Sequence, residues 1–217
     1  MKIKWNGHAS FTITADNGTV IVTDPYDPGG YDGALTYDVV DDRADIALIS
    51  HDHADHNYAA GLSGTPEVLK VSGKIKDIEI TGIDAFHDES EGSERGTNTI
   101  FVFEVDGIRI CFMGDLGHQL SDEQVKKAGK VDVLLLPVGG TFTVDPEGAS
   151  GVVDALKPAL VIPMHFKTSK CHFPISEVEP FLALMPEVKR PGKSEIELTE
   201  GDLPENGPQA WVLDHAR

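Results

Sequence analysis

Positive charge is scarce in this chain. Eighteen Lys and Arg residues stand against 36 Asp and Glu, giving a formal net charge of −18 at pH 7. A nucleic-acid backbone is repelled by such a protein unless a local basic patch intervenes, so nucleic acid is disfavoured as substrate or partner. The one close group of lysines, Lys126, Lys127 and Lys130, falls on an expected exposed amphipathic helix. Cysteine is nearly missing: Cys111 and Cys171 do not make a disulfide framework. No apolar run approaches the length of a membrane span, and Met1-Lys2-Ile3-Lys4-Trp5 enters a strand pattern at once. That argues against a signal peptide and a membrane association, and for a cytoplasmic enzyme. A Gly-x-Ser-x-Gly elbow and a phosphate-binding glycine loop are both lacking, which removes serine-nucleophile and nucleotide chemistry from the leading readings. No linker-like stretch divides the chain, so residues 1–217 are expected to form one domain.

What is present is a concentration of imidazole. His51-Asp52-His53-Ala54-Asp55-His56 follows directly on the apolar stretch Asp45-Ile46-Ala47-Leu48-Ile49-Ser50. A strand ending in such a run delivers its side chains to one edge of a sheet. Neutral imidazole and carboxylate suit Zn²⁺ and similar divalent ions. His51 and His53, two apart in extended chain, point the same way, and Asp55 and His56 can turn back toward the same point. Four ligands in so short a segment exceed what one tetrahedral ion with an open position needs, which suggests two ions. The bland alternative is a solvated, histidine-rich turn.

Three further apolar runs end in candidate ligands. Ile80-Thr81-Gly82-Ile83-Asp84-Ala85-Phe86 leads to His87, Ile108-Arg109-Ile110-Cys111-Phe112-Met113-Gly114 to Asp115, and Leu160-Val161-Ile162-Pro163-Met164 to His165. Singly, each fits a structural histidine or a turn-forming Asp. Jointly they complete a set of seven.

With these residues the chain resembles the metallo-β-lactamase superfamily, whose signature is matched by His51-x-His53-x-Asp55-His56, His87, Gly114-Asp115 and His165 in the same order. Within it, the chain is most similar to small metal-dependent hydrolases related to ascorbate-6-phosphate lactonase. That narrower match rests on Trp5-Asn6-Gly7-His8-Ala9-Ser10-Phe11, Ala85-Phe86-His87, Val138-Gly139-Gly140-Thr141-Phe142-Thr143 and Pro163-Met164-His165-Phe166. Phe166 stands where many such relatives are expected to carry Tyr, so a phenol contact to substrate is not expected at that position.

The resemblance implies a four-layer αββα sandwich of two mixed sheets with helices on the outer faces; periodicity alone shows α/β character. It also implies that His51, His53 and His87 hold a first ion, that Asp55, His56 and His165 hold a second, and that Asp115 bridges both. Zn²⁺ is the first choice, with Mn²⁺ and Fe²⁺ as alternatives for the same ligands. Two such ions share a water, bring its pKa toward neutrality and aim the hydroxide at an electrophile, with Asp55 orienting it. The expected activity is hydrolysis of a small ester, lactone or sugar-phosphate-type substrate, anionic molecules included. A phosphodiesterase or phospholipase-type hydrolase is the alternative, and a non-catalytic metal-binding or redox protein on the same fold is a third reading. An oligomer is compatible with all three.

Outside the ligand set, Asp24 is a candidate to hold the far nitrogen of a ligating imidazole, against the plainer role of starting a turn before Pro25. His8, on a turn expected to overhang the ions, contacts substrate or donates a proton to the leaving group, or is structural. Thr141, Phe142 and Thr143 are expected to wall the pocket and Lys167 to meet an anion there. Arg95 and Asn98 lie in a Gly-rich loop beyond His87 whose glutamates face water. Cys171 has a slight claim to the site, whereas His118, His172 and His215 read as solvated or unspecified. Strands are expected at Ile3–Trp5, Ser10–Thr14, Val20–Thr23, around Val68–Val71 and Ile78–Ile83, and in a hairpin about Asp106-Gly107. Helices are expected near Asn57–Gly61, over Pro146–Leu156 behind Asp145 as cap, and over Ile175–Leu184. The tail from Glu187 offers two short strands and no chemistry.

Overall fold

Continuous apolar runs and alternating ones separate cleanly in this chain, and each builds the kind of strand it dictates. The computed structural model describes residues 1–217. Its strands are β1 (Lys2–Gly7), β2 (Ser10–Thr14), β3 (Val20–Thr23), β4 (Arg43–Leu48), β5 (Ser63–Leu69), β6 (Gly73–Ile75) and β7 (Ile78–Phe86). They continue as β8 (Thr97–Val105), β9 (Ile108–Phe112), β10 (Val133–Pro137), β11 (Leu160–Met164), β12 (Glu187–Lys189), β13 (Glu195–Glu197) and β14 (Gln209–Trp211). One sheet has the order β13-β1-β2-β3-β4-β5, the other β12-β14-β11-β10-β9-β8-β7-β6, and both mix parallel with antiparallel pairs. Every residue of β10 and β11 is buried, as parallel strands covered on both faces require. In β1, Ile3 and Trp5 go inward while Lys2 stays outside. Trp5, Phe11, Phe101, Phe103, Phe112 and Phe181 fill the core with essentially no exposure. The result is the two-sheet sandwich with few helices.

Two of the expected helices are shorter than the residue pattern suggests. Pro146–Leu156 forms as expected, with the Asp145 side chain accepting from Gly148 N and Pro146 in the first turn. The expected helix at Asn57–Gly61 is a single 3₁₀ turn, Ala59–Gly61, because Tyr58 N donates outward to Pro25 O. The expected helix over Ile175–Leu184 shrinks to Glu179–Leu182. Ser176 explains this: its N–H donates to Gly139 O and its carbonyl accepts from Lys167 N, so this stretch is extended and anchored beneath the site. The tail holds three short strands, not two. They close both sheets at their edges, and Arg217 pairs with Asp41 and Asp42. His215 is half-buried against Trp5 and Tyr37, so it is not a solvated residue.

Candidate metal centre

Strand ends bring the seven candidates to one place. His51 follows β4, His87 follows β7, Asp115 follows β9 and His165 follows β11. The turn carrying Asp115 is built on Gly114 (φ 54°), where a Cβ would lie 2.3 Å from Asn98 Oδ1 and 2.5 Å from Ser50 Cβ. Asn98 then holds the turn, donating to Met113 O at 2.8 Å and accepting from Asp115 N at 3.0 Å. Gly117 permits an equally close approach, since a Cβ there would meet the His87 backbone at 2.3 Å.

Asp115 Oδ2 is the geometric hub. It lies 3.1 Å from His56 Nε2, 3.2 Å from His87 Nε2, 3.3 Å from His165 Nε2 and 4.0 Å from His51 Nε2. Donor atoms within 4.8 Å of one another fall into a group His51, His53, His87, a group His8, Asp55, His56, His165, and a group Asp24, His51, His56 that shares one imidazole with each of the other two. Asp115 therefore sits between two clusters, each with enough donors for an ion.

Asp24 orients one imidazole of each cluster. Its buried carboxylate accepts from Ser50 N at 2.7 Å, from Ser50 Oγ at 2.5 Å and from His56 Nδ1 at 2.9 Å. Because Ser50 Oγ spends its proton on Asp24, it accepts at 2.8 Å from His51 Nδ1–H. His51 thus turns a bare Nε2 lone pair inward, and His56, its Nδ1–H held by Asp24, does the same once Nε2 gives up its proton. His51 Nε2 faces His53 Nδ1 at 3.1 Å, and a cation between them satisfies both. Asp55 Oδ1 and Asp115 Oδ1 are buried with no hydrogen-bond partner. Such orphaned charged and polar atoms are costly unless a cation meets them, so the donor set fits bound metal.

The electrostatics agree. Burial would depress His56, but Asp115 and Asp55 outweigh it and raise the imidazole well above its ordinary value. Asp115, despite burial, is held well below the carboxylate range by His165 and His56. Asp55 is likewise held far down by His56 and His8 against its burial. Burial, then His56, pushes His51 down to about 2. In the cation-free chain, the proton on His56 is what balances the two carboxylates.

Comparison with known proteins agrees with this geometry. Residues 2–165 match the family model described as a beta-lactamase superfamily domain. A UPF0173 metal-dependent hydrolase of Nitratidesulfovibrio vulgaris is 30% identical, over 81% of this chain and 82% of its own. Another from Thermococcus kodakarensis is 31% identical, over 77% and 85%. A crystal structure from Thermotoga maritima, of a candidate Zn-dependent hydrolase of the metallo-beta-lactamase superfamily, superposes with a TM-score of 0.80 at 36% identity, covering 98% of this chain and 99% of that one. The chain belongs to the metallo-β-lactamase superfamily.

Around this superfamily centre, the remaining candidates divide. His8 is fully buried, lying within the centre and not over it: its Nε2 is 3.0 Å from Asp55 Oδ2 and its ring 4.2 Å from that of His165. Phe142 and Thr143 line a cleft with Arg95 and Asp88. Thr141 is on the rim of the same cleft, but its hydroxyl is spent on Pro174 O at 2.8 Å. Lys167 is a correction. It is exposed and lines a separate groove with Trp5, Phe166 and Glu179, where the short turn after His165 sends it outward. Cys171 is buried among Leu35, Tyr37 and Ile175, and burial raises its thiol to about 11, leaving it inert. His118 is not free in solvent: its Nε2 accepts from Phe86 N at 3.1 Å, pinning the strand end beside His87.

Four contributors were missed in the sequence. Ser50 relays Asp24 to His51, and only its place before the histidine run could have signalled it. Asn98, assigned to a loop, stands in β8 and holds Asp115. Tyr31 sits in a left-handed turn (φ 53°), its phenol beside Asp55, and burial followed by that carboxylate raises its pKa. Phe173 packs 5.8 Å from the His8 ring. Nothing in the local sequence around Tyr31 or Phe173 signals either role.

Proposed function

We propose that the chain acts as a dinuclear hydrolase, zinc being its first-choice metal, on a small ester, lactone or sugar-phosphate-type substrate. Its standing as a metal-dependent hydrolase of the metallo-β-lactamase superfamily follows from its relatives and its donor clusters. The observation that carries the dinuclear reading is Asp115 Oδ2, within 3.1–3.3 Å of His56, His87 and His165, with a donor cluster on either side. His51, His53 and His87 would hold one ion; Asp55, His56 and His165 the other; Asp115 both. When bound, such a pair polarises a carbonyl or phosphoryl group and lowers the pKa of a shared water toward neutrality.

The chain's own groups prepare that arrangement. Asp24 fixes the ring orientations of His51 and His56, so His51 presents a lone pair at once and His56 presents one on losing a proton, neither with a conformational change. His8 engages Asp55 Oδ2 and leaves Oδ1 free for a cation or for a water proton. This makes His8 a positioning residue, and departs from a role in which it overhangs the substrate. The phenol of Tyr31, kept neutral, is a hydrogen-bond donor on the Asp55 side. No side-chain nucleophile is required. The support for a lactone is the sequence resemblance to ascorbate-6-phosphate lactonase. No helix is long and apolar enough to cross a membrane, and both cysteines are free and buried.

The test is a panel of lactones, carboxylic esters and nitrophenyl phosphodiesters presented to stripped and re-metallated protein. Metal-dependent turnover of lactones or esters, abolished in His53→Ala with the fold intact, is expected. Turnover confined to phosphodiesters would move the chain to the alternative reading. Full activity in stripped protein would end the metal mechanism.

A further inference from the structure

Three aromatic rings and one guanidinium make an unbroken series of contacts across the centre. The ring of Tyr31 meets that of Phe173 edge-on at 5.5 Å, Phe173 meets Phe142 at 5.7 Å, and the Arg95 guanidinium lies 5.9 Å from the Phe142 centroid. The series begins beside Asp55, passes His8 through Phe173, and ends in the cleft of about 520 Å³ that His51 and His53 also line. It therefore spans both donor clusters on the solvent side.

The four side chains come from separate loops that are tied together. His172 N donates to Ala34 O at 2.8 Å, joining the Phe173 segment to the Tyr31 turn. Thr141 Oγ1 donates to Pro174 O at 2.8 Å, joining Phe142 to Phe173. Arg95 is fixed by Asp88, whose two carboxylate oxygens accept from the amides of Ser90, Gly92, Glu94 and Arg95 at 2.8–3.1 Å. Packing does not account for the exposed ends. Tyr31 remains 49% exposed, Phe142 and Phe173 are half-buried, and the side chain of Arg95 has one long contact, 3.4 Å to neighbouring Glu94.

We infer that Tyr31, Phe173, Phe142 and Arg95 form the substrate-recognition rim, and that they select a small carboxylate-bearing ester or lactone with an apolar body. The rings cover the apolar part, and Arg95 pairs with the carboxylate on the His51–His53 side. A carboxylate fits better than a phosphate on charge. Lys70, the other cation of that cleft, is paired with Asp52, and Glu89, Glu94 and Asp145 stand near Arg95. One guanidinium there balances a single negative charge, not the nearly two of a phosphate monoester. The inference rests on the hydrolase reading and narrows its substrate.

The test is calorimetric binding to zinc-loaded full-length protein of three probes: 5-phenylvalerate, its primary amide and 4-phenylbutyl phosphate. The acid is expected to bind about 10-fold tighter than the amide, a difference of about 1.4 kcal/mol, and tighter than the phosphate. Arg95→Gln should erase the preference for the acid while the amide binds as before. Tyr31→Ala, at a half-exposed position, and Phe173→Ala should each weaken acid and amide alike, by several-fold. An acid preference that survives Arg95→Gln would overturn the proposal, because the centre itself would then hold the carboxylate. Tighter binding of the phosphate, or unchanged binding in both ring variants, would overturn it too. The hydrolase reading fails separately, if neither 4-nitrophenyl valerate nor mono-4-nitrophenyl glutarate is cleaved while the acid binds as expected.

Discussion

The amide of His165 donates to the carbonyl of His8 at 3.0 Å, and both residues hold a left-handed backbone, with φ of 50° and 51°. This bond joins the β1–β2 turn of one sheet to the end of β11 in the other, at the metal centre itself. Trp5 Nε1 donates to the same carbonyl at 3.0 Å. Two side-chain-bearing residues kept in a strained conformation persist only where their surroundings over-determine them.

His8 allows that strain to be weighed against its ring. His8→Ala and His8→Gly lose the same contact to Asp55, but only glycine is relaxed at positive φ. The alanine variant should be less stable than the glycine variant by about 1 kcal/mol in urea unfolding. Equal stabilities would mean that the turn carries no strain. Both variants should weaken the second cation to bind while sparing the first.

Asp24→Asn removes the acceptor that orients His51 and His56 together. Zinc affinity should fall about 10–100-fold, read by competition against a chelator of known affinity. Ser50→Ala breaks only the branch to His51, so its loss should be smaller and confined to the His51, His53, His87 group. An Asp24→Asn protein with undiminished affinity would show that the hydrogen bonds do not set the tautomers.

Proton linkage gives the metal-free chain a stability optimum. His56 has a raised pKa when folded, so its contribution is present below the unfolded value of about 6.5 and is lost as pH rises through the folded value. His8 and His51 are lowered by burial, to about 4 and about 2, so the unfolded chain takes up their protons first and stability falls as pH drops below about 6.5. Thermal melts of stripped protein should therefore peak near pH ~6.5. The alkaline fall should vanish in zinc-loaded protein, where His56 carries no proton, and zinc uptake at neutral pH should release protons. A flat profile for stripped protein would contradict the charge balance described for His56.

Asp88 should lock the loop that carries Arg95. Four backbone amides hold its carboxylate below the ordinary value against the cost of taking it out of water. Its ordering effect is therefore present above the unfolded Asp value of about 3.9 and is lost as pH falls through the lower folded value. The amide resonances of Ser90, Gly92, Glu94 and Arg95 should move together on acidification, and in Asp88→Asn they should already be shifted at neutral pH. Independent titration of the four would break the account of a single carboxylate holding them.

That the candidate donors gather in one place was legible because each stands on a segment that follows a strand, and strands announce themselves by apolar runs. Asp24 was legible for the same reason, closing β3. The resemblance supplied the sandwich, which periodicity could not. What stayed hidden depends on contacts between distant loops. The rim of Tyr31, Phe173, Phe142 and Arg95 is assembled by bonds such as His172 N to Ala34 O, which no local pattern encodes. Lys167 was misplaced because adjacency to His165 in sequence says nothing of direction once a left-handed residue turns the chain. The helix expected at Ile175–Leu184 failed because apolar spacing does not reveal that Ser176 is claimed by Gly139 and Lys167.

The most direct measurement is a zinc titration of stripped, full-length protein under chelator competition, repeated with His87→Ala and His165→Ala. Two tightly bound ions per chain are predicted for the unaltered protein, with one lost in each variant. A single ion per chain, or two that survive both substitutions, would contradict a pair of cations shared across Asp115.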